Sequence, residues 1–266
     1  MSVILKIDAD FRPQGGEAGG QVIRMIAAAI NFLPIGSSIE VENIRAGRPG
    51  KKGLRPQHVQ CLEMIREICG CEMVGVQEHS GAVTLQSVGT PIPGSYRNSP
   101  LVDDSAASAT LIIQALLPVL LFAPGRSQVH ITGGLDTNFS PSIYHTMDVL
   151  RPILGFFDIE IVKNVPRGKG GGEVLLTVNG MLKGETFPPL EVFDADAKLT
   201  DQLIIYMALA RGRSVIRSRF EPTTHTKSQI LLMEMLFPGI AFTLTNCEDK
   251  WMITCDGIGF HVITSS

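Results

Sequence analysis

One order of strands and helices recurs three times along this chain of 266 residues. Alternating apolar residues predict strands, and apolar residues spaced three to four apart predict helices. Each pass reads strand, helix, strand, helix, strand, strand. The first helices of the three passes begin near Glu17, Ser105 and Leu199, at nearly equal intervals. This periodicity predicts three βαβαββ units, at residues 1–89, 90–179 and 180–266.

Such units constrain the fold, because a sheet with one apolar face must bury that face against helices. We therefore expect an α/β (α+β) fold in which the three units pack around a shared helical core. No linker separates the units, so residues 1–266 are predicted to form a single domain. The least regular stretch is Asn179 to Ala197, where glycine, proline and acidic residues cluster.

Composition narrows the class of protein. A formal net charge of −3 argues against a globally basic nucleic-acid binder, so any nucleic-acid contact needs a local basic patch. Five cysteines without a CxxC pair indicate neither a zinc site nor a disulfide framework. The apolar run 109–123 is shorter than the roughly 20 residues of a membrane span. Lys6 and Asp8 interrupt the N-terminus too early for a signal peptide. These features predict a protein of the cytoplasm or nucleus with no membrane partner.

The most concentrated charge lies in Ile44 to His58, which reads IRAGRPGKKGLRPQH. Its glycines and prolines rule out a regular helix or strand through most of the segment. An apolar strand pattern precedes it and an amphipathic helix pattern follows, which predicts an ordered basic loop. Arginine side chains such as Arg45 and Arg48 suit bidentate capture of phosphate oxygens. A solvated surface turn is the alternative reading of the same composition.

A glycine-rich turn, GGEAGGQ, spans Gly15 to Gln21 and precedes a helix that contains Arg24. A helix N-terminus without bulky side chains lets phosphate approach its backbone N–H groups closely. Glu17 would repel that phosphate unless a divalent cation lies between them, since such cations prefer carboxylate oxygens. A flexible helix cap is the alternative interpretation of this turn.

His225 is predicted to begin the second helix of the third unit. The dipole at a helix N-terminus disfavours the charged imidazole, so a neutral ring is available there. Neutral imidazole is a competent nucleophile toward an activated phosphorus atom. Asp201 and Gln202 begin the first helix of the same unit, at the position that matches the Glu17 turn of the first unit. Taken alone, a histidine such as His225 is more often a structural residue than a catalyst.

Four motifs, IRAGRPGKKGLRPQH, GGEAGGQVIR, KGGGEV and DQLIIYMALARG, together resemble the RNA 3'-terminal phosphate cyclases. The resemblance covers almost the whole chain, and the basic loop is its most specific part. That family consists of repeated βαβαββ units. The resemblance implies ATP and a divalent metal (Mg or Mn) as cofactors and RNA with a 3'-phosphate end as the partner. The implied product is a 2',3'-cyclic phosphate, made through a covalent histidine–AMP and an RNA-adenylate.

The resemblance also implies roles for individual residues. His225 corresponds to the nucleophile and Glu17 to the carboxylate on the metal side. The residues implied to contact the nucleotide are Gln21, Pro141, Asp201 and Gln202, and those implied to hold phosphate are Arg24, Arg45, Arg48 and Gln57. The sequence leaves open whether the protein forms a homodimer.

Several positions depart from the family pattern. Only 179–197 lies where the family usually carries a small insert domain, so the chain resembles an insert-less form. Lys198 replaces an aromatic residue, Ala107 a glycine, and Leu135 a threonine. These departures motivate an alternative, a non-catalytic cyclase-like protein that binds RNA or assists ribosome assembly. That branch lacks the histidine and basic-loop motifs that this chain keeps, which favours the enzyme. An enolpyruvyl transferase, a third alternative, would share the repeat alone.

Overall fold

The computed structural model of the protein describes residues 2–10, 19–48, 50, 52–99, 107–138, 140–247 and 250–262. The described residues form three four-stranded sheets with helices between the strands. None of the helices in these ranges combines the length and apolarity needed to cross a bilayer.

The first sheet has the strand order β1-β2-β4-β3, with β1 parallel to β2 and the other pairs antiparallel. Helix α1 connects β1 to β2, and α2 connects β2 to β3. The bounds of these elements are β1 Ile4–Asp8, α1 Gly20–Ala29, β2 Ser38–Glu42, α2 Pro56–Cys69, β3 Glu72–Val74 and β4 Val83–Gln86.

The second sheet repeats this order as β5-β6-β8-β7, again with a parallel first pair. Its elements are β5 Ser95–Arg97, α3 Ala109–Leu121, β6 Arg126–Gly133, α4 Ile143–His145, α5 Arg151–Leu154, β7 Phe157–Lys163 and β8 Gly172–Asn179. A π-helical turn, Thr146–Leu150, separates α4 from α5, and Pro152 at the start of α5 has no N–H to continue regular α-helical bonding.

The third sheet has the order β9-β10-β12-β11, with β9 parallel to β10. Its elements are β9 Glu191–Val192, α6 Ala197–Leu209, β10 Arg211–Ser218, α7 Thr224–Leu236, β11 Phe242–Cys247 and β12 Lys250–Ile258. All three sheets therefore share one order, one parallel pair and one placement of helices. The expected fold class is confirmed, while the division of the chain at 89/90 and 179/180 stays a prediction.

The helices form the shared core. Helix α1 packs against α3 and α7, and α3 packs against α6. Small residues at Ala27 to Ala29 are completely buried and allow a close approach between helices. Three phenylalanines close this core, because Phe32 follows α1, Phe122 follows α3 and Phe260 follows β12. Their ring centroids lie 5.0 to 5.2 Å apart in edge-to-face pairs, so residues near all three sheets meet at one point.

Candidate active site

A cleft with a volume of about 500 Å³ lies at the N-terminal ends of the core helices. Its walls include residues from the first two turns of α1, α2, α3, α6 and α7: Gly20, Gln21 and Arg24; Gln57 and His58; Leu111 and Gln114; Lys198, Asp201 and Gln202; His225 and Gln229. Helix N-termini carry partial positive charge and backbone N–H groups without intrahelical acceptors. Five such ends at one cleft favour binding of an anionic ligand.

The basic loop follows β2 and reaches the cleft through Arg45 and Arg48. Backbone hydrogen bonds hold it against the turn between β3 and β4. Ile44 N–H donates to the Gly81 carbonyl at 3.0 Å, and Leu54 N–H donates to the Ser80 carbonyl at 2.9 Å. Arg45 has a left-handed backbone conformation, with φ of 53°. That uncommon conformation is fixed by its surroundings, so the loop presents its side chains from a defined backbone.

Arg24 and Arg45 are buried cations at the cleft wall. Their side chains belong to residues only 9% and 8% exposed, respectively. Burial lowers the pKa of Arg24, and the charge of Arg45 lowers it further. Two desolvated like charges at one wall favour an anion beside them. The two arginines therefore create a strongly positive wall that suits a phosphate group.

His225 occupies the first turn of α7, half-buried at the cleft, and Asp201 of α6 lies beside it. The Thr223 hydroxyl donates to Asp201 Oδ1 at 2.9 Å, and the Thr226 hydroxyl also donates to that oxygen. Thr223 caps α7 as well, since its Oγ1 accepts from Thr226 N–H at 3.0 Å. Burial raises the pKa of Asp201, while the two hydroxyls and His225 oppose that rise. One carboxylate thus joins α6 to the turn that carries His225.

Pro141 lines the cleft from the segment that follows β6. The Thr110 hydroxyl on α3 donates to the Pro141 carbonyl at 2.8 Å. Beside it, Ser108 Oγ and Ser140 Oγ are 2.8 Å apart. These buried hydroxyls tie the Pro141 segment to the start of α3, so the ring of Pro141 is held at a fixed position.

A second connection links the same segment to α6. His145 Nε2 lies 3.1 Å from Asp196 Oδ2, and Asp196 Oδ1 caps α6 by accepting from Leu199 N–H at 2.7 Å. The hydrogen bond to Leu199 and the interaction with His145 lower the pKa of Asp196 despite its partial burial. The contact between His145 and Asp196 therefore connects the segment after β6 to the start of α6.

Two glutamine side chains present acceptors that have no hydrogen-bond partner among the described residues, Gln202 Oε1 and Gln229 Oε1. Gln202 Nε2 donates to the Lys198 carbonyl at 3.0 Å, which fixes the amide orientation. Both residues are at least nine-tenths buried and line the cleft. Buried acceptors without partners suit a ligand that carries N–H or O–H donors.

His58 is an almost completely buried residue of the cleft wall. It lies on the first turn of α2 and is 1% exposed. Its Nδ1 accepts from Arg55 N–H at 3.0 Å, whereas Nε2 is buried with no hydrogen-bond partner in the described part of the chain. Burial, followed by the charges of the nearby arginines, lowers the pKa of His58 to about 3. The ring is therefore neutral at physiological pH.

The structure brings together every described residue to which the resemblance assigned a role. Gln21, Arg24, Arg45, Arg48, Gln57, Pro141, Asp201, Gln202 and His225 all line this one cleft. Glu17, the expected metal ligand, lies outside the described residues. Among those described, no group of three or more His, Cys, Asp or Glu residues could hold a metal ion.

Sequence reasoning missed several cleft residues, above all His58, Gln114 and Gln229. Gln229 could have been found, because it lies four residues after His225 and so on the same face of a helix. Two of the departing positions have different surroundings. Lys198 lines the cleft, whereas Leu135 is 1% exposed in the core and its carbonyl accepts from Ile143 N–H at 2.7 Å.

A family model described as RNA 3'-terminal phosphate cyclase matches residues 15–244, which include all of these cleft residues. The chain belongs to the RNA 3'-terminal phosphate cyclase family. The resemblance carried by the basic loop and the glycine-rich turn is thereby confirmed at the level of the family.

Relatives named RNA 3'-terminal phosphate cyclase agree with this membership. The protein from Hyperthermus butylicus is 39% identical over 171 residues, which cover 61% of this chain and 45% of the relative. The protein from Archaeoglobus fulgidus is 33% identical over 195 residues, which cover 71% of this chain and 56% of the relative. The chain thus spans about half the length of the curated relatives it matches.

The solved structure of EPSP synthase from Acinetobacter baumannii has a similar fold. It aligns with a TM-score of 0.51 at 15% sequence identity and covers 99% of this chain and 50% of that chain. At this level of identity the likeness concerns the fold alone. It agrees with the repeated architecture that the sequence predicted.

Proposed function

We propose that the protein converts an RNA 3'-terminal phosphate into a 2',3'-cyclic phosphate at the expense of ATP. The observation that carries this proposal is the position of His225 in one cleft with Arg24, Arg45 and Arg48. A nucleophile and phosphate-binding cations within a single cleft are what nucleotidyl transfer to an RNA phosphate requires. Membership of the cyclase family supports the same reaction.

The proposed reaction has three transfers. First, a ring nitrogen of His225 attacks the α-phosphorus of ATP, a P–N bond forms, and pyrophosphate leaves. Next, an oxygen of the RNA 3'-phosphate attacks the same phosphorus, which releases the histidine and gives an RNA-adenylate. Finally, the neighbouring 2'-hydroxyl loses its proton and attacks the 3'-phosphorus, and AMP leaves as the cyclic phosphate forms.

The cleft residues have distinct tasks in this proposal. Asp201 stabilises the positive charge that develops on His225 during attack, because a carboxylate favours a nearby imidazolium. The arginines hold the phosphates and offset their charge. The ring of Pro141 provides an apolar surface for the nucleoside. Gln202 Oε1 and Gln229 Oε1 accept hydrogen bonds from its N–H or O–H groups. A divalent metal would bind chiefly phosphate oxygens, as Mg²⁺ commonly does, and Glu17 is the proposed carboxylate beside it.

Adenylation of the protein is the direct test. Incubation with ATP labelled at the α-phosphate and with Mg²⁺ or Mn²⁺ should leave label on the denatured protein, whereas label at the γ-phosphate should not remain. His225→Ala should abolish labelling. His130→Ala is the matched control, because His130 lies on β6 beside Glu173 and outside the cleft. Absence of label on the wild type with either metal would refute the proposal.

A second candidate function is non-catalytic RNA binding, as in assembly of an RNA–protein particle. Lys198 favours it, since a flexible cation lines the cleft where the family pattern has an aromatic residue. This candidate predicts salt-dependent binding of RNA that survives His225→Ala and is accompanied by no adenylation. The adenylation assay therefore separates the two functions.

A further inference from the structure

We infer that His58 binds the substrate directly, as an uncharged donor whose Nε2–H bonds to a phosphoryl oxygen in the cleft. The inference deepens the proposed function and rests on it for the identity of the ligand. It adds a directed hydrogen bond to the positive wall formed by Arg24, Arg45 and Arg48. The resemblance to the family had assigned His58 no role.

The tautomer of His58 follows from its one hydrogen bond. Nδ1 accepts the Arg55 N–H at 3.0 Å, in the capping arrangement at the start of α2. A nitrogen that accepts carries no proton, so the neutral ring must carry its proton on Nε2. Nε2 is then a donor, and the described residues offer it no acceptor. A buried donor left without an acceptor is costly, which points to an acceptor supplied by a ligand.

The position of Nε2 identifies the kind of acceptor. A Cβ atom at Gly20 would lie only 1.9 Å from Nε2, so the ring contacts the first residue of α1. The first turn of α1 is the positive end of its helix dipole, where backbone N–H groups generally lack intrahelical acceptors. An oxygen that accepts from Nε2–H would therefore lie near this positive end. Gly19, the residue that precedes α1, also lies close to Arg48, whose Nη2 would be 3.5 Å from a Cβ there. An anionic oxygen fits this environment best.

The surrounding charges explain why the ring acts as a neutral donor. Arg24, Arg45, Arg48 and Arg55 all oppose protonation of His58, in addition to burial. A second proton on Nδ1 would also break the bond from Arg55 N–H. The neutral ring therefore orients the phosphate through one hydrogen bond and adds no further positive charge to the cleft wall. Gly20 is needed at its position because any side chain would displace this ring.

The phosphoryl group has two sources, the polyphosphate of ATP and the 3'-phosphate of RNA. Both present the same anionic oxygens, so the structure identifies their shared chemistry. Three probes separate the sources: inorganic pyrophosphate, an oligoribonucleotide with a 3'-phosphate, and the same oligoribonucleotide with a 3'-hydroxyl. Binding of inorganic pyrophosphate tests the polyphosphate of ATP as the source. The difference in binding between the two oligoribonucleotides tests the 3'-phosphate of RNA.

The first experiment records ¹⁵N–¹H correlations of the histidine rings in the wild-type protein. We expect His58 to show the Nε2-protonated neutral tautomer between pH 6 and 8, with assignment through a His58→Gln sample. Addition of a binding probe should shift the Nε2–H resonance downfield, as a hydrogen bond to an anion does. A probe that binds without moving this resonance would overturn the inference for that source, and failure of both sources would overturn it altogether.

The second experiment compares two neutral variants by isothermal titration with the same probes. His58→Asn keeps an acceptor near the position of Nδ1 but withdraws the donor from the cleft. His58→Gln keeps the capping acceptor and extends an amide N–H toward the position of Nε2. We expect at least about tenfold weaker binding for His58→Asn, the loss typical of a hydrogen bond to a charged group, and recovery of most of it by His58→Gln. Equal binding by wild type and His58→Asn would contradict the inference.

These outcomes remain distinct from failure of the proposed function. If the wild type is not labelled by ATP, the enzymatic proposal fails, yet the pyrophosphate titration and the Nε2–H shift still test His58. If the wild type is labelled and His58→Asn binds every probe normally, only the role of His58 fails. Should His58→Asn not fold, the wild-type ring resonances decide the question alone.

Discussion

Acid should destabilise this protein through one buried ring, His58. Its pKa falls from 6.5 to about 3 in the folded protein, first because of burial and then because of the surrounding arginines. The unfolded chain therefore takes up a proton on this histidine as the pH drops below 6.5, whereas the folded protein does not until about pH 3. Stability present above pH 6.5 is thus lost progressively as the pH falls through this window.

The size of the effect follows from linkage between protonation and folding. With these two pKa values, His58 should lower the free energy of unfolding by about 2 kcal/mol at pH 5 and by only about 0.2 kcal/mol at pH 7. Urea unfolding of the wild type and His58→Gln at both pH values measures it, because glutamine does not titrate. The wild type should lose about 2 kcal/mol more than the variant between pH 7 and pH 5.

A matched control is His261→Gln, which removes a histidine that is exposed on the surface. This variant should follow the wild-type dependence on pH. If wild type and His58→Gln lose the same stability between pH 7 and pH 5, the ring is not held neutral by its surroundings. The reasoning from burial and neighbouring charge would then be refuted.

Three further outcomes can be measured. Gly20→Ala should lower the free energy of unfolding by about 1–3 kcal/mol, the usual cost of overpacking. The double variant Gly20→Ala/His58→Ala should recover part of that loss, because the new methyl group clashes with the His58 ring. Additive losses in thermal or urea unfolding would contradict this clash. Arg48→Ala should keep the circular dichroism spectrum of the wild type but weaken binding of 3'-phosphorylated RNA by about tenfold to a hundredfold. The salt dependence of RNA binding should also decrease. Unchanged affinity would exclude a contact between Arg48 and the phosphate. Asp201→Asn should slow adenylation about tenfold to a hundredfold. Because the pKa of Asp201 is raised, the wild-type rate of adenylation should fall toward acidic pH, and this fall should be absent in Asp201→Asn. If the variant keeps the acidic fall in rate, another group causes it.

The fold was predictable where patterns were long. The core helices α1, α3 and α6 have continuous apolar faces, and β6 and β8 are eight-residue strands in which buried residues alternate with partly exposed ones. By contrast, β5 and β9 have three and two residues, too few to show any period. Both are defined by parallel pairing to a long neighbour, β6 or β10, which only the tertiary structure supplies.

Nine of the residues that line the cleft were predicted from the sequence, but their arrangement as one surface was not. Motif resemblance singled out His225 and the arginines, yet it could not show that five helix N-termini share one cleft, since this depends on how the units pack. His58 was missed for a physical reason. A histidine on the first turn of an amphipathic helix is readily interpreted as a capping residue, and Nδ1 of His58 does cap α2. The contact of Nε2 with Gly20, from which we infer phosphate binding, depends on the tertiary structure.

The cluster of Phe32, Phe122 and Phe260 has a consequence for the kinetics of folding. Its rings come from parts of the chain separated by some of the longest sequence distances in the fold, and Phe260 contacts both of the others. A contact of such high order forms late, because the intervening chain must first become compact. Each sheet can pair its own strands across shorter sequence distances, whereas the Phe260 contacts require the first and third units to come together. We therefore expect slow, concerted docking of preformed sheets as the rate-limiting event, and the candidate cleft should form only at that final step.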